Sequence, residues 1–351
     1  MNAGAPVAPP NPDVRARAAE RLAGLATPAG ALGRLGELGV WVSAVQGVCP
    51  PEPIDNVRAV IFAGDHGVAD PGPGGRSVSA YPKAVTPAMV GTFLMGKAGV
   101  SALAAQHGVS VRVLDLGVDD DLVGVDPAVQ AHKVRKGSGA IHLEDALSRA
   151  EVEQALAAGA TVADEEIAAG AQLLISGDMG IGNTTPSAAL IAATLGLPAA
   201  EVTGTGTGVD AEGLAHKIEV VQAALDRVGD RVDDPVDCLA ALGSADLAAS
   251  AGFMAEAARR GVPVLLDGLI SVACALMAER LAPGAAAWFA AGHRSTEPAQ
   301  AFALEKLGLE PILDVSMRLG EGSGAVAAVP LVRSSVALLR DVALLADILP
   351  G

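Results

Sequence analysis

Aromatic side chains are nearly missing from this chain. Of its 351 residues, one is tyrosine, two are tryptophan and five are phenylalanine. Proteins that hold single-stranded nucleic acid stack bases on aromatics inside a basic groove. Positive charge is short as well: 24 Lys and Arg stand against 40 Asp and Glu, a formal net charge of −16. Such a surface repels nucleic acid and anionic membranes. Both are excluded as partners, and any phosphate site must be positive locally within an acidic whole.

Cysteine is scarce. Cys49, Cys238 and Cys274 stand far apart and in no metal-ligand spacing, so they read as isolated thiols of a reducing compartment. Long apolar runs are lacking too. The longest without charge, "GLISVACALMA" at 268–278, has roughly half of the ~20 residues a membrane helix needs. The opening "MNAGAPVAPPNP" has neither a basic start nor an apolar core. It reads as a disordered lead-in over residues 1–12, with no signal peptide, and a cytoplasmic protein is expected.

What is abundant is small and apolar. Half of the residues are hydrophobic and 42 are glycine, enough for a sizeable core. One pattern recurs: a short apolar run ending in glycine and polar residues. It appears as "VRAVIFAGDHG" (57–67), "VSVRVLDLGVDD" (109–120), "AQLLISGDMGIGNTT" (171–185), "VPVLLDGLI" (262–270) and "AAAWFAAGHRSTE" (286–297). Continuous runs of this length suit strands buried on both faces. Ala-rich amphipathic segments such as "EGLAHKIEVVQAALDRV" lie between them. The alternation predicts an α/β fold with a parallel, Rossmann-like sheet over 51–330. Residues 13–50 and about 330–351 are expected to pack as a small helical domain. In parallel sheets ligands bind beyond the carboxyl ends of the strands, so the five strand-end loops are nominated as one site.

Several loops carry candidate chemistry. In "GDMGIGNTT" (177–185), Gly180 and Gly182 leave backbone N–H groups open, and Asn183 and Thr184 add donors at a helix start. That arrangement cradles an anion, although a plain turn has the same pattern. "TGTGTGVD" (203–210) is a second such loop, with Lys217 on the following helix; the lysine reads as a phosphate contact or as a solvated side chain. "GDHGV" puts Asp65 and His66 at a strand end, where a hydrogen-bonded pair is favoured over a metal site for want of companion ligands. "SVSAYPKAVTP" (77–87) reads as a loop that closes over a ligand. "GHRSTEP" (292–298) carries His293, Arg294, Ser295 and Glu297, either an anion contact or a salt-bridge cluster. In "MRLGEGSGA" (317–325), Glu321 stands among glycines before an apolar run. A carboxylate that is buried must be paired or functional, and a low-dielectric pocket suits a general base.

The stretches "FAGDHGV", "VSAYP", "GDMGIGNTT", "GTGTGVD", "LLDGLIS", "HRSTEP" and "MRLGEGSGA" together resemble the nicotinate-nucleotide–dimethylbenzimidazole phosphoribosyltransferases of cobalamin lower-ligand synthesis. The likeness runs from about residue 15 to 345. It implies transfer of the phosphoribosyl group of nicotinate mononucleotide to 5,6-dimethylbenzimidazole, giving α-ribazole 5′-phosphate and nicotinate. It implies Glu321 as the general base, with no cofactor and no metal. It places the nucleotide on Gly180, Gly182, Asn183 and Thr184, with Lys217 near the phosphate, and lines the azole slot with Ser79, Tyr81 and Lys83. Asp178, Arg318 and Gly320 complete the expected substrate contacts, and a homodimer is implied. The chain departs from the family pattern at four places: Asp178 replaces a usual Glu, Lys83 a frequent Gln, Thr27 a Lys and Gln300 a common His. Two alternatives remain open at this point: another acceptor base, such as a purine or a phenol, or nucleotide binding without turnover.

Overall fold

The structure is a computed structural model and describes residues 5–71 and 76–348. Six strands form one all-parallel sheet: β1 (Val57–Gly64), β2 (Val109–Gly117), β3 (Leu173–Met179), β4 (Val264–Leu266), β5 (Phe289–His293) and β6 (Pro311–Leu313), in the order β2-β1-β3-β4-β5-β6. Val57 pairs with both Val109 and Leu173, and Val264 with Phe289. The five expected runs are β1 to β5. The sixth strand, three residues opening on proline, escapes a reading based on apolar runs.

The helices are α1 (Pro12–Gly24), α2 (Gly33–Gln46), α3 (Val85–Leu94), α4 (Gly99–His107), α5 (Arg149–Ala168), α6 (Thr184–Leu195) and α7 (Ala199–Val202). They continue with α8 (Ala211–Val228), α9 (Pro235–Leu242), α10 (Ala245–Arg259), α11 (Leu269–Leu281), α12 (Ala299–Leu307), α13 (Ser323–Asp341) and α14 (Leu345–Ile348). Side chains alternate across each strand, and both faces of the sheet are buried. Val60, Phe62, Leu114 and Leu174 point into the larger core with α5, α6, α10 and α11. Ala59, Ile61, Val113 and Ile175 point into the other, with α4 and α13. Helices α5 and α10 pack at backbone distance: a Cβ on Gly159 would overlap the carbonyl of Ala249. This contact explains the Ala- and Gly-rich composition of both helices.

Helices α1 and α2 meet the end of α13. Arg21 of α1 donates to Leu339 O at 2.7 Å and Arg340 O at 2.9 Å. Ala18, Leu25, Val40 and Leu339 form a small apolar cluster there. Helix α13 runs through position 330, so one helix joins this terminal cluster to the sheet and begins next to Glu321. Of the lead-in, residues 1–4 lie outside the described residues, as do 349–351 at the other end. Val7 N donates to Pro283 O at 2.7 Å, and Ala8 O accepts from Trp288 Nε1 at 2.9 Å. By length and composition alone, 85–107 and 323–341 could cross a bilayer; more than half of the second is buried inside the fold.

Candidate active site

The loops after β3, β4 and β5, the 318–321 segment after β6 and residues 81–89 enclose a cavity of about 510 Å³. Asp65 and Asp119, just past β1 and β2, do not line it; they are tied together where Asp65 Oδ2 accepts from Asp119 N at 2.8 Å.

Glu321 sits in a left-handed turn. Its φ is +65°, between Gly320 at +81° and Gly322 at +90°. A non-glycine residue held there is strained and needs the surroundings to impose it. Two contacts impose it. A Cβ on Gly177 of β3 would overlap the carbonyl oxygen of Glu321. Asp267, just past β4, accepts from Gly324 N at 2.7 Å, Ala325 N at 3.1 Å and Gly322 N at 3.1 Å. Asp267 thereby satisfies the first N–H groups of α13, which would otherwise lack partners. The Glu321 carboxylate is buried, and its Oε2 accepts from Val100 N at 2.9 Å. Burial raises its pKa, backbone N–H groups of α4 pull against that, and the charge of Asp267 adds to the rise.

The loop after β3 holds the opposite wall. A Cβ on Gly180 would lie 2.6 Å from His66 Nε2 and overlap Gly64 O, so only glycine fits. Gly182 has φ +92° and turns the chain into α6. Asp178 Oδ1 accepts from Asn183 Nδ2 at 2.8 Å. Thr184, on the cavity wall, accepts from Lys217 Nζ at 2.7 Å. Lys217 is not solvated. It is fully buried, donates also to Gly204 O at 3.0 Å, and burial lowers its pKa to about 8 against the opposing charge of Glu297. Glu297 Oε1 accepts from Gly206 N at 2.8 Å, and Arg318 Nη1 donates to Gly206 O at 2.6 Å. Lys217, Arg318 and the start of α6 thus gather positive character at one corner of an acidic protein.

The third wall is mostly apolar: Val85, Met89, Met179, Ile181 and Leu319 line it beside Tyr81, which is 55% exposed. Ser79 lies behind Tyr81, its Oγ 3.0 Å from Thr207 Oγ1, and Thr207 also accepts from Ala80 N at 2.9 Å. The 77–87 loop is thereby fastened to the 203–210 loop. Lys83 does not line the cavity. Its ammonium lies 3.1 Å from Asp70 and 3.2 Å from Asp119; these carboxylates outweigh burial and raise its pKa.

Asp65 and His66 make no hydrogen bond to each other, contrary to expectation. Adjacent residues leaving a strand point to opposite sides: Asp65 meets the backbone of Asp119, and His66 faces Asp246 of α10, Nε2 to Oδ2 3.5 Å. His293 lines the cavity with its Nε2 3.3 Å from Asp267, whereas Arg294 pairs outward with Asp314 at 3.5 Å. Sequence reasoning passed over Asp246 and the role of Asp267. The first reads as an ordinary acid in a helix first turn. The second stands inside the quoted "LLDGLIS", and an acid ending a buried strand was its available signal.

A family model described as phosphoribosyltransferase, DBI_PRT, matches residues 7–348. The nicotinate-nucleotide–dimethylbenzimidazole phosphoribosyltransferase of Mycolicibacterium paratuberculosis is 54% identical over 343 residues, 98% of this chain and 96% of that protein. The protein of the same name from Mycobacterium tuberculosis is 51% identical over 339 residues, 97% of this chain and 92% of its own. The crystal structure of CobT from Thermus thermophilus matches with a TM-score of 0.90 at 42% identity, covering 97% of this chain and 100% of that one. Fold, site loops and sequence agree over nearly the full length, and the chain belongs to the DBI_PRT phosphoribosyltransferase family.

Proposed function

We propose that this protein transfers the phosphoribosyl group of nicotinate mononucleotide to 5,6-dimethylbenzimidazole, with Glu321 as general base. The observation that carries the reading is the pairing of two features in one cavity. A buried carboxylate with a raised pKa stands near an apolar wall, and Arg318 and Thr184, the first residue of α6, line a cationic corner that the buried Lys217 backs through Thr184. Nicotinate mononucleotide sits with its phosphate toward that corner and dimethylbenzimidazole against the apolar wall. An unprotonated azole nitrogen attacks the ribose C1′ from the face opposite the pyridinium. The C1′–N bond breaks, its electron pair neutralises the pyridinium ring, and nicotinate leaves. Glu321 takes the remaining azole N–H proton, and α-ribazole 5′-phosphate forms with inversion. A carboxylate whose pKa is raised by burial is a better acceptor for that proton than an exposed one.

Asp178, Gly180, Gly182, Asn183, Thr184 and Gly320 shape the nucleotide side, and Tyr81 closes the slot, supported by Ser79. Lys83 contributes through its carboxylate partners outside the cavity. We infer a homodimer working in the cytoplasm; exposed Leu94, Met95 and Leu319 flank the turn between α3 and α4 and support an interface there. Incubation with nicotinate mononucleotide and a panel of azoles, purines and phenols tests the reading. Nicotinate release that depends on dimethylbenzimidazole is expected. Release driven better by a purine or phenol transfers the activity to another acceptor, and no release with any acceptor overturns the proposal.

A further inference from the structure

Among the described residues, four carboxyl side chains line the cavity: Asp178, Asp267, Glu297 and Glu321. The proposed nucleotide brings a phosphate and a carboxylate into the same space. Three of the four acids are matched by backbone donors. Asp267 accepts from residues 322, 324 and 325, Glu297 from Gly206 and Glu321 from Val100. Such N–H groups spread part of a carboxylate's charge, and a helix N-terminus adds to the effect.

Asp178 alone of the four accepts no backbone N–H: its Oδ1 accepts one side-chain amide, from Asn183, and its Oδ2, like Glu297 Oε2, is buried with no donor. Asp246, in the first turn of α10 and 1% exposed, likewise has no donor on either oxygen. Asp178, Asp246 and His66 bring one polar atom each within 4.8 Å of the others. Two acid groups thus face each other out of water. Leaving both ionised and unsatisfied is costly, and a proton on one supplies the missing donor. The groups around Asp178 come from several elements: Asp246 from α10, His66 from the turn after β1, Asn183 at the start of α6 and Cys274 from α11. Burial pushes the Asp178 carboxyl well above the usual carboxylate range, and the charge of Asp246 adds to it. The Cys274 thiol beside it is pushed up in the same way.

We propose that Asp246 is a positioning residue that keeps Asp178 uncharged, so that a cavity lined by four acids accepts an anionic nucleotide. This inference rests on nicotinate mononucleotide as the substrate. Asp178 carries the proton, hydrogen-bonded to Asp246, and presents a neutral carboxyl to the ligand. Gly64 and Gly180 press their backbones against Asp246 and His66, with no room for a Cβ on either glycine. That crowding suits a proton between the acids better than a hydrated metal ion.

Two measurements at neutral pH test it. The infrared carbonyl band of a protonated carboxyl is expected in the free wild-type protein and absent from Asp178→Asn. Direct titration with nicotinate mononucleotide is expected to weaken about tenfold or more in Asp246→Asn, as a like charge is restored to the cavity wall. Adding Asp178→Asn to that variant recovers the affinity, a rescue that a merely structural role for Asp246 does not produce. No protonated-carboxyl band in the wild type, or a double variant no better than Asp246→Asn, overturns the inference. One tightly held divalent metal per chain, lost in Asp246→Asn, overturns it in favour of a metal site. A wild type that shows the band but binds no nicotinate mononucleotide overturns the proposed function, and with it the role given to Asp246.

Discussion

The Oε2 of Glu321 accepts the backbone N–H of Val100 at 2.9 Å, so the acid of the glycine loop rests on the N-terminus of α4. The two residues are far apart in the chain and meet because Gly99 leaves the helix start open. A Cβ there would lie 2.6 Å from Leu319 Cδ2 and 3.3 Å from Glu321 Oε2. The contact fixes the direction of the carboxylate. It also offsets part of the effect of burial, since a helix N-terminus favours an anion. The result is a carboxylate whose pKa is raised by burial yet held in check, as the proposed role of base requires.

Glu321→Gln keeps the shape and the loop but removes the proposed proton acceptor. Turnover is expected to fall by about 10²–10⁴-fold, the usual worth of a positioned base, with nucleotide affinity retained. The proposed base must be ionised, so activity is expected to decline as pH falls through a value higher than that of an ordinary glutamate. A pH–rate profile and single-turnover rates check both points; near-normal turnover in the variant removes Glu321 from the mechanism.

Gly177 is a test of the loop's placement. A methyl group at this position must displace the Glu321 carbonyl. Misplacement on the scale of ~1 Å can cost on the order of 10²-fold when the displaced group acts on the reacting atoms. Gly177→Ala is therefore expected to lower kcat more than it raises KM for the nucleotide. Equal kcat in the two proteins shows that the loop adapts freely.

Lys217 is buried among Thr184, Gly204 and Glu297, and burial lowers its pKa to about 8. A phosphate nearby favours the charged form. Nucleotide affinity should then weaken as pH rises through about 8, where the free protein loses this charge. Lys217→Ala is expected to cost roughly 1.5–3 kcal/mol of binding if a charged hydrogen bond is lost. Calorimetric titration on either side of that pH measures both effects. An unchanged affinity assigns Lys217 to packing alone.

Lys83 stands where the family frequently has glutamine, yet its ammonium is held by Asp70 and Asp119 outside the cavity. Lys83→Gln should change the ratio of dimethylbenzimidazole to adenine use by less than about tenfold, or ~1.4 kcal/mol. Competition between the two acceptors measures it directly. A larger swing shows that this position sets acceptor choice.

The chain order of apolar runs and glycines determined much of this protein. Five of the six strands, the flanking helices α1, α2 and α8, the two glycine loops and the buried acid at 321 all follow from local pattern. Each reports how a short stretch must be buried or turned, which is encoded within that stretch. Strand β6 left no such mark, being short, half-buried and opened by proline.

What only the tertiary structure decided is which of these pieces meet. Placing β1 between β2 and β3 turns His66 toward Asp246 and away from Asp65. Burying α8 against α6 converts Lys217 from a candidate surface lysine into a neighbour of Thr184. The carboxylates of Asp70 and Asp119 draw Lys83 away from the cavity it was expected to line. The pairing of Asp178 with Asp246 has no local signal, because a carboxyl's charge state depends on burial and on neighbours brought from distant parts of the chain.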